Sequence, residues 1–270
     1  PYGAYAVDDG WGAQDCNGHG THVSGTLGGT TYGVAKRVSL VPVRVLDCSG
    51  SGYTSDMVAG LDWIVADHSY GSPAVVNMSV GSEANYSLDL AVQRVVDDNI
   101  TVVVASGNEA TNACASSPAR VPSAITVNAS TYPDDDASFS NYGSCTDIYA
   151  PGVSVVSSYY TSDSATATFS GTSMASPHVA GAAARILSQN PTFSPAQVDQ
   201  RIKSTATAVD FLPGIPSDAK ALLYMAAPSA APGPPASLGL LSFPYPNMAR
   251  IAWSRPADPG TGAWSGYRVR

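Results

Sequence analysis

Charged residues are scarce in this sequence of 270 residues, at 13%, and basic residues are scarcer than acidic ones. Thirteen lysines and arginines stand against twenty-one aspartates and glutamates, so the formal net charge is −8 and the isoelectric point is near 4.7. No run of basic residues is visible, although a protein that binds nucleic acid or an anionic membrane needs one. The composition therefore argues against nucleic acid and membranes as partners and favours an acidic secreted protein.

Long hydrophobic runs are also missing, and no stretch approaches the ~18 apolar residues of a membrane-spanning helix. Residues 1–12 lack the basic, apolar and small-residue parts of a signal peptide. The sequence starts at Pro1 without an initiator Met and stops at Arg270 within an alternating pattern, so we expect an internal piece of a longer polypeptide. Hydrophobic residues still make up 44%, which is enough for a substantial core.

Cysteine occurs only four times, and there is no Cys-x-x-Cys pair. That missing pair argues against a zinc site or a redox-active site. Four cysteines allow three disulfide connectivities, and the residues alone leave the choice between them open.

Short β-rich runs alternate with helical patterns between Val38 and Ala226. We predict strands at 39–46, 74–79, 101–105 and 124–128. We predict helices over 55–68 and 172–189, one that Ser87 caps, and one that Ser194 caps with Pro195 as its first residue. The third and fourth strands are nearly all apolar, as buried parallel strands are. This alternation predicts an α/β fold whose parallel sheet is covered by helices on both faces.

The composition changes after Met225. Residues 227–236 form a Pro/Ala-rich stretch that is typical of a linker, and residues 237–270 return to strand-like alternation. This last stretch resembles the opening strands of a fibronectin type III module, but it is too short to close a β-sandwich. We therefore predict one domain over 1–226, a linker, and a truncated β-sandwich module.

Three segments contain residue types that can do chemistry together. In chain order they are Asn17-Gly-His-Gly-Thr-His22, Ala105-Ser-Gly-Asn108 and Gly171-Thr-Ser-Met-Ala-Ser-Pro-His178. Each is ambiguous when it is read alone, but their order of His, Asn and Ser within one chain is specific.

Ser173 lies between a β-like run and a predicted helix, where free N–H groups can stabilise an oxyanion. His19 is flanked by glycines and can face a cleft, and the Asn108 amide can donate toward the same oxyanion. Simpler interpretations stay open at this point. Ser173 or Thr172 can be only a helix cap, Asn108 can be a turn residue, and His19 can be half of a metal site.

The three segments resemble the subtilisin-type serine proteases over residues 2–223, in the proteinase K branch and closest to the aqualysin-like secreted bacterial enzymes. This resemblance implies a three-layer α/β subtilase fold with a central, mostly parallel sheet, and a secreted endopeptidase that forms an acyl-enzyme on Ser173. His19 would be the general base and acid, and Asn108 would form the oxyanion hole with the Ser173 backbone N–H. It also implies polypeptide substrates, no catalytic cofactor and a monomer.

The resemblance further implies a substrate cleft in which an extended peptide pairs with two edge strands. One wall would be Gly50, Ser51 and Gly52, and the other would be Ser79, Val80 and Gly81. Ala105, Ser106 and Gly107 would complete the pocket for the residue before the scissile bond.

One part of the family pattern is missing. The triad needs an Asp in an Asp-Thr-Gly or Asp-Ser-Gly context well before the His, and only eighteen residues precede His19. We therefore expect this Asp upstream of the piece and assign no catalytic role to Asp8 or Asp9. The alternative is a catalytically incomplete or inactive relative that acts as a protein-binding module.

By the same resemblance, we expect disulfides between Cys16 and Cys48 and between Cys114 and Cys145, as suits an extracellular protein.

Structural calcium is also implied, held by Asp147 with the carbonyls of Pro122 and Ala124. Asp8, Asp9 and Asp15 are either a second calcium site or a solvated acidic turn.

Overall fold

The computed structural model describes residues 3–209, 219 and 221–225, together with the backbone of 238–242 and 249–253. The chain divides into two compact units, Pro1–Tyr224 and Met225–Arg270. The predicted linker at 227–236 lies outside the described residues. Over the described part of the chain, no helix combines the length and the apolar character needed to cross a membrane.

The helices of the described residues lie in the first unit: α1 (His19–Gly28), α2 (Thr54–Asp67), α3 (Tyr86–Asp97), α4 (Thr172–Gln189) and α5 (Pro195–Thr205), with a 3₁₀ turn at Ala113–Ala115. Ser194 caps α5 as predicted, since its hydroxyl accepts from the Gln197 N–H. The cap of α3 was predicted wrongly. Asn85, not Ser87, has the extended backbone that a cap requires, and its side chain accepts from the Leu88 N–H at 3.1 Å.

The strands of the first unit are short: β1 (Ala4–Tyr5), β2 (Val43–Arg44), β3 (Val75–Met78), β4 (Ser82–Glu83), β5 (Thr101–Ala105), β6 (Ser116–Ser117), β7 (Ile125–Ser130), β8 (Ile148–Pro151), β9 (Val155–Ser158), β10 (Thr166–Phe169), β11 (Thr207–Ala208) and β12 (Ala221–Leu222). Six of them form the central sheet in the order β11-β12-β8-β7-β5-β3. All neighbours in this sheet are parallel except β11 and β12, so the mostly parallel sheet is confirmed.

The predicted strand at 39–46 is wrong in extent and in place. Only Val43–Arg44 is a strand, and it pairs with β1 in a separate two-stranded sheet. Leu40 and Val41 are exposed, so these apolar side chains are not held against the core. Pro42 has no N–H to give to a ladder, although its carbonyl accepts from the Ala4 N–H.

Strand β5 shows why helices cover both faces of the sheet. All five of its residues are buried, and successive side chains point to opposite faces. Val103 packs into an apolar cluster with residues of α4 and α5, whereas Val102 and Val104 pack into another with residues of α2 and α3. The sheet is thus the middle layer of three, which confirms the predicted architecture.

In the second unit, β13 (Leu238–Ser242) and β14 (Ala249–Trp253) form an antiparallel pair in which Leu240 lies opposite Ile251. The rest of the predicted fibronectin type III module lies outside the described residues, so the module stays a prediction.

Candidate active site

A cleft of about 470 Å³ opens in the first unit. It is lined by Asn17, His19, Leu46, Ser49, Gly50, Ser51, Gly52, Met57, Ser79, Val80, Gly81 and Ser173. The cleft thus brings together His19 and Ser173 with six of the nine predicted substrate-binding residues. The other three, Ala105, Ser106 and Gly107, are not among its lining, and the first two are buried.

His19 is the first residue of α1, and Gly18 determines how the chain enters that helix. Gly18 has a φ of 103°, which a residue with a side chain rarely adopts. A Cβ at this position would also collide with the Tyr159 ring. Glycine before His19 is therefore needed both for the turn and for close packing against Tyr159.

Asp15 caps the start of α1 with both of its carboxylate oxygens. Oδ1 accepts from the N–H groups of Asn17 and Gly18 at 2.9 and 2.8 Å, and Oδ2 accepts from the N–H and the hydroxyl of Thr21 at 2.7 and 2.6 Å. Burial raises the pKa of Asp15, but these four hydrogen bonds outweigh it and lower the pKa overall. Asp15 thus serves helix α1 and has no hydrogen bond to the His19 ring.

The pKa of His19 lies below its usual value, chiefly because burial disfavours the charged ring. The negative charge of Asp15 opposes this shift, and the proximity of His22 adds to it. Within the described residues, no hydrogen bond reaches the His19 ring. The imidazole is therefore neutral near neutral pH and able to accept a proton.

His22 is buried and joins α1 to the β9–β10 hairpin. Its Nε2 lies 3.1 Å from the Val155 carbonyl and 3.2 Å from the Ala167 carbonyl, and its ring stacks on Phe169. Two carbonyls can only accept, so Nε2 carries the proton. This histidine therefore has a structural role.

Ser173 is the second residue of α4, so its N–H is among those that a helix start leaves free. Its hydroxyl donates to the Ser79 carbonyl at 3.3 Å, and the Ser79 hydroxyl donates to the Ser173 carbonyl at 2.8 Å. In this state the Ser173 hydroxyl is thus bonded to Ser79 and not to His19. Hydrogen bonds in a catalytic site commonly tighten only when substrate binds.

The Asn108 side chain is fixed from one end. Its Oδ1 accepts from the Thr172 N–H at 2.8 Å and from the Thr172 hydroxyl at 3.0 Å, so Nδ2 is the end left to donate. A Cβ on Gly171 would lie 3.6 Å from Asn108 Oδ1 and 3.7 Å from both Asn108 Nδ2 and the Ser173 backbone nitrogen. Two N–H donors therefore border the same small space beside Gly171. The sequence pointed to Asn108 but gave Thr172 no role beyond a helix cap.

The first wall of the cleft is a tight turn. Asp47 Oδ1 accepts from the N–H groups of Ser49 and Ser51, and Gly50 has a φ of 81°. A Cβ on Gly52 would strike the Val45 carbonyl, so glycine is required there as well.

The second wall leaves open space, since the nearest atom to a Cβ on Gly81 would be 4.0 Å away. Sequence reasoning missed two apolar residues in the lining, Leu46 and Met57. Met57 lies on the buried face of α2, and that helical periodicity was the available signal.

The predicted disulfides, Cys16–Cys48 and Cys114–Cys145, are both confirmed. The first joins the segment before His19 to the first cleft wall, where the Asn17 side chain also donates to the Cys48 carbonyl at 3.2 Å.

The predicted calcium ligand Asp147 is already bonded within the chain. Its Oδ2 accepts from the Thr126 N–H at 2.8 Å, and its Oδ1 accepts from the Lys203 ammonium at 2.7 Å. Lys203 also donates to Asp199 at 2.9 Å. A calcium ion at Asp147 would therefore have to displace an ammonium group from Oδ1.

The acidic turn before α1 is also engaged, because Asp9 pairs with Arg44. Hydrogen bonds from the Arg44 guanidinium are the main reason that the pKa of Asp9 falls to about 2. With Asp15 capping α1, neither carboxylate is free for calcium or for His19.

Comparison with known proteins gives one consistent result. Residues 3–229 match the subtilase family, peptidase family S8. An extracellular serine proteinase of Thermus sp. (strain Rt41A) is 58% identical over 202 residues, which is 75% of this chain and 49% of the relative. Alkaline serine exoprotease A of Vibrio alginolyticus is 52% identical over 201 residues, which is 74% of this chain and 37% of the relative. The chain thus spans half or less of the length of these curated relatives.

The fold also has a solved counterpart. The crystal structure of a cold-adapted subtilisin-like serine proteinase aligns with a TM-score of 0.78 and 46% sequence identity, covering 83% of this chain and 80% of that one.

Proposed function

This chain belongs to the subtilase family, and we propose that it is the catalytic part of a secreted serine endopeptidase that hydrolyses extended polypeptides. The observation that carries the proposal is the pair of N–H donors, Asn108 Nδ2 and the Ser173 backbone nitrogen, that border one space beside Gly171. Such a pair can hold the oxyanion of a tetrahedral intermediate.

In the proposed reaction, neutral His19 removes the proton from the Ser173 hydroxyl as the oxygen attacks the scissile carbonyl carbon. The carbonyl oxygen becomes negatively charged and accepts hydrogen bonds from Asn108 and from the Ser173 N–H. His19 then gives its proton to the leaving amine, the C–N bond breaks, and an acyl-enzyme remains on Ser173. Water, activated by His19 in the same way, releases the acid product.

No triad aspartate is assigned among the described residues. Asp9 is paired with Arg44 and Asp15 caps α1, so we assign neither of them to His19. The prediction that the triad Asp lies in a preceding segment stays a prediction.

Substrate would bind as an added strand between the two cleft walls, Gly50–Gly52 and Ser79–Gly81. The glycines support this mode because they permit close approach of another backbone. Leu46 and Met57 would supply an apolar floor for one substrate side chain.

Secretion is supported by the two disulfides and by the extracellular Thermus relative. A monomer and structural calcium stay predictions. If calcium binds at Asp147, that carboxylate with the carbonyls of Pro122 and Ala124 would hold it through oxygen ligands, once Lys203 has moved away.

The test is Ser173→Ala in the full-length protein, with a peptide p-nitroanilide as substrate. We expect hydrolysis to disappear, and we expect a fluorophosphonate to label the wild type on Ser173, located by mass spectrometry. Ser188→Ala is the matched control, because Ser188 is an exposed serine of the same helix. Activity of Ser173→Ala within threefold of wild type, or labelling at another serine, would overturn the proposal.

A further inference from the structure

A buried amide lies directly behind the segment that carries Asn108. Asn141 is fully buried, and its Nδ2 donates to the Ser106 carbonyl at 2.9 Å and to the Glu109 carboxylate at 2.8 Å. Its Oδ1 accepts from the N–H groups of Glu109 and Thr111 at 3.1 and 3.0 Å. Both the nitrogen and the oxygen of the Asn141 side chain are thus hydrogen-bonded within residues 106–111.

Glu109 extends these contacts to Asn108 itself. The carboxylate oxygen that accepts from Asn141 also accepts from the Asn108 backbone N–H at 2.9 Å. On the other side, the Asn141 N–H donates to the Gly107 carbonyl at 3.0 Å. Asn108 therefore sits between two residues that Asn141 holds directly.

Residue 107 has no room for a side chain. A Cβ there would collide with Asn141 Nδ2 and lie 2.7 Å from the Glu109 carboxylate, and the φ of 106° excludes most side chains as well. Because the turn packs this closely against the Asn141 amide, a change in that amide should shift Asn108, which lies between Gly107 and Glu109.

We propose that Asn141, acting through Glu109, is a positioning residue for the oxyanion hole: it sets the place of the Asn108 amide relative to the Ser173 N–H. This rests on the function proposed above. Asn141 touches neither substrate nor the reacting atoms, so its effect must pass through Asn108. Because a misplaced oxyanion-hole donor stabilises the transition state less but hardly changes substrate binding, the effect belongs in kcat and not in KM.

The first experiment uses Asn141→Asp in the full-length protein with a peptide p-nitroanilide. This near-isosteric change turns the Nδ2 donor into an acceptor that faces the Ser106 carbonyl and the Glu109 carboxylate. We expect kcat to fall roughly tenfold, equivalent to about 1.4 kcal/mol, with KM changed less than twofold.

The matched control is Asn112→Asp. Asn112 lies on the same loop, and its acceptor for the Cys114 N–H is retained in the variant. We expect its kcat to stay at the wild-type value. Should Asn141→Asp fold poorly, Glu109→Ala tests the same link, because Glu109 is exposed while its carboxylate joins Asn141 to Asn108.

A double-mutant cycle separates positioning from general damage. In an Asn108→Ala background there is no amide left to position, so Asn141→Asp or Glu109→Ala should lower kcat no further. A loss that is equally large in that background, a loss confined to KM, or an unchanged kcat would overturn the inference while the wild type remains active. If the wild type itself neither hydrolyses the substrate nor reacts with a fluorophosphonate at Ser173, it is the proposed function that has failed.

Discussion

Hydrogen bonds from Thr172 decide which end of the Asn108 amide is left to donate. An isolated asparagine can present its oxygen or its nitrogen to a neighbour, and only the nitrogen can stabilise an oxyanion. The Thr172 N–H can only donate, so the flipped amide would place Nδ2 against a donor, whereas in the observed orientation Oδ1 accepts from both the N–H and the hydroxyl. The proposed oxyanion donor is thus oriented by the residue just before the proposed nucleophile.

Thr172→Val tests this orientation. The change keeps the shape of a fully buried side chain but removes the hydroxyl that donates to Asn108 and accepts from the Gly107 N–H. The lost hydrogen bond to Asn108 is worth about 1 kcal/mol, so we expect kcat for a peptide p-nitroanilide to fall about fivefold while KM changes little. Thr172→Ser keeps the hydroxyl and should lose far less. Equal losses in the two variants would contradict the argument.

His19, Asn108 and Ser173 were predictable as candidates because their motifs are contiguous in sequence. Thr172 and Asn141 were not, because their roles depend on contacts across 64 residues and across 30 to 35 residues, which no local pattern records. Likewise, Ser87 was predicted as the cap of α3 because Asn85 and Ser87 are both residue types that can cap a helix. Only the extended backbone of Asn85 decides between them.

At the scale of elements, Lys203 joins α5 to the segment just before β8. Burial lowers the pKa of Lys203, but the Asp147 and Asp199 carboxylates raise it more, so the ammonium stays charged. It therefore supplies positive charge at the carboxylate where the family resemblance puts calcium.

Removing that charge should make the site a better place for calcium. In a Ser173→Ala background that prevents self-digestion, we expect Lys203→Gln to lower the melting temperature without calcium. We also expect millimolar calcium to raise it more than in the parent. Lys36→Gln is the control, since Lys36 donates only to the Thr31 carbonyl. If calcium raises the melting temperature of the parent as much as that of Lys203→Gln, then Lys203 does not compete with the ion.

The fold was predictable wherever local pattern and burial agree. Strand β5 and helix α4 were found with their full bounds, because one is apolar throughout and the other follows the small-residue motif. The prediction of a strand over 39–46 was wrong because an exposed segment that contains Pro42 can show the same alternation of apolar and polar residues. Strand β8 was missed, although three of its four residues are buried, because it is short and ends in Pro151.

For the whole molecule, stability should depend on keeping several histidines neutral. The pKa values of His19, His22 and His178 are all lowered, chiefly by burial. His22 gives the clearest reason. Among the described residues its buried Nδ1 has no hydrogen-bond partner, so protonation would create an unpaired buried donor.

The sign of the pH dependence follows from proton binding. Below the unfolded histidine pKa of about 6.5, the unfolded chain takes up protons that the folded chain does not, so the free energy of unfolding falls as pH falls. The loss starts near that value and continues down to the lowered folded pKa. Asp136 and Asp199 act in the opposite direction, since burial raises their pKa and stabilises the folded state as pH falls. Comparison between variants is therefore needed to isolate one histidine.

We expect the melting temperature of Ser173→Ala to fall between pH 8 and pH 5.5 at constant ionic strength. In Ser173→Ala/His22→Gln the fall should be smaller, because glutamine can still donate to the Val155 or Ala167 carbonyl but cannot take up a proton. One proton changes the free energy of unfolding by at most about 1.4 kcal/mol per pH unit. The pH dependence of that free energy can therefore differ between the two variants by no more than this amount. Only the slope matters, since the substitution itself costs some packing against Phe169. An equal or steeper slope in the double variant would mean that His22 is protonated as readily in the folded chain as in the unfolded one.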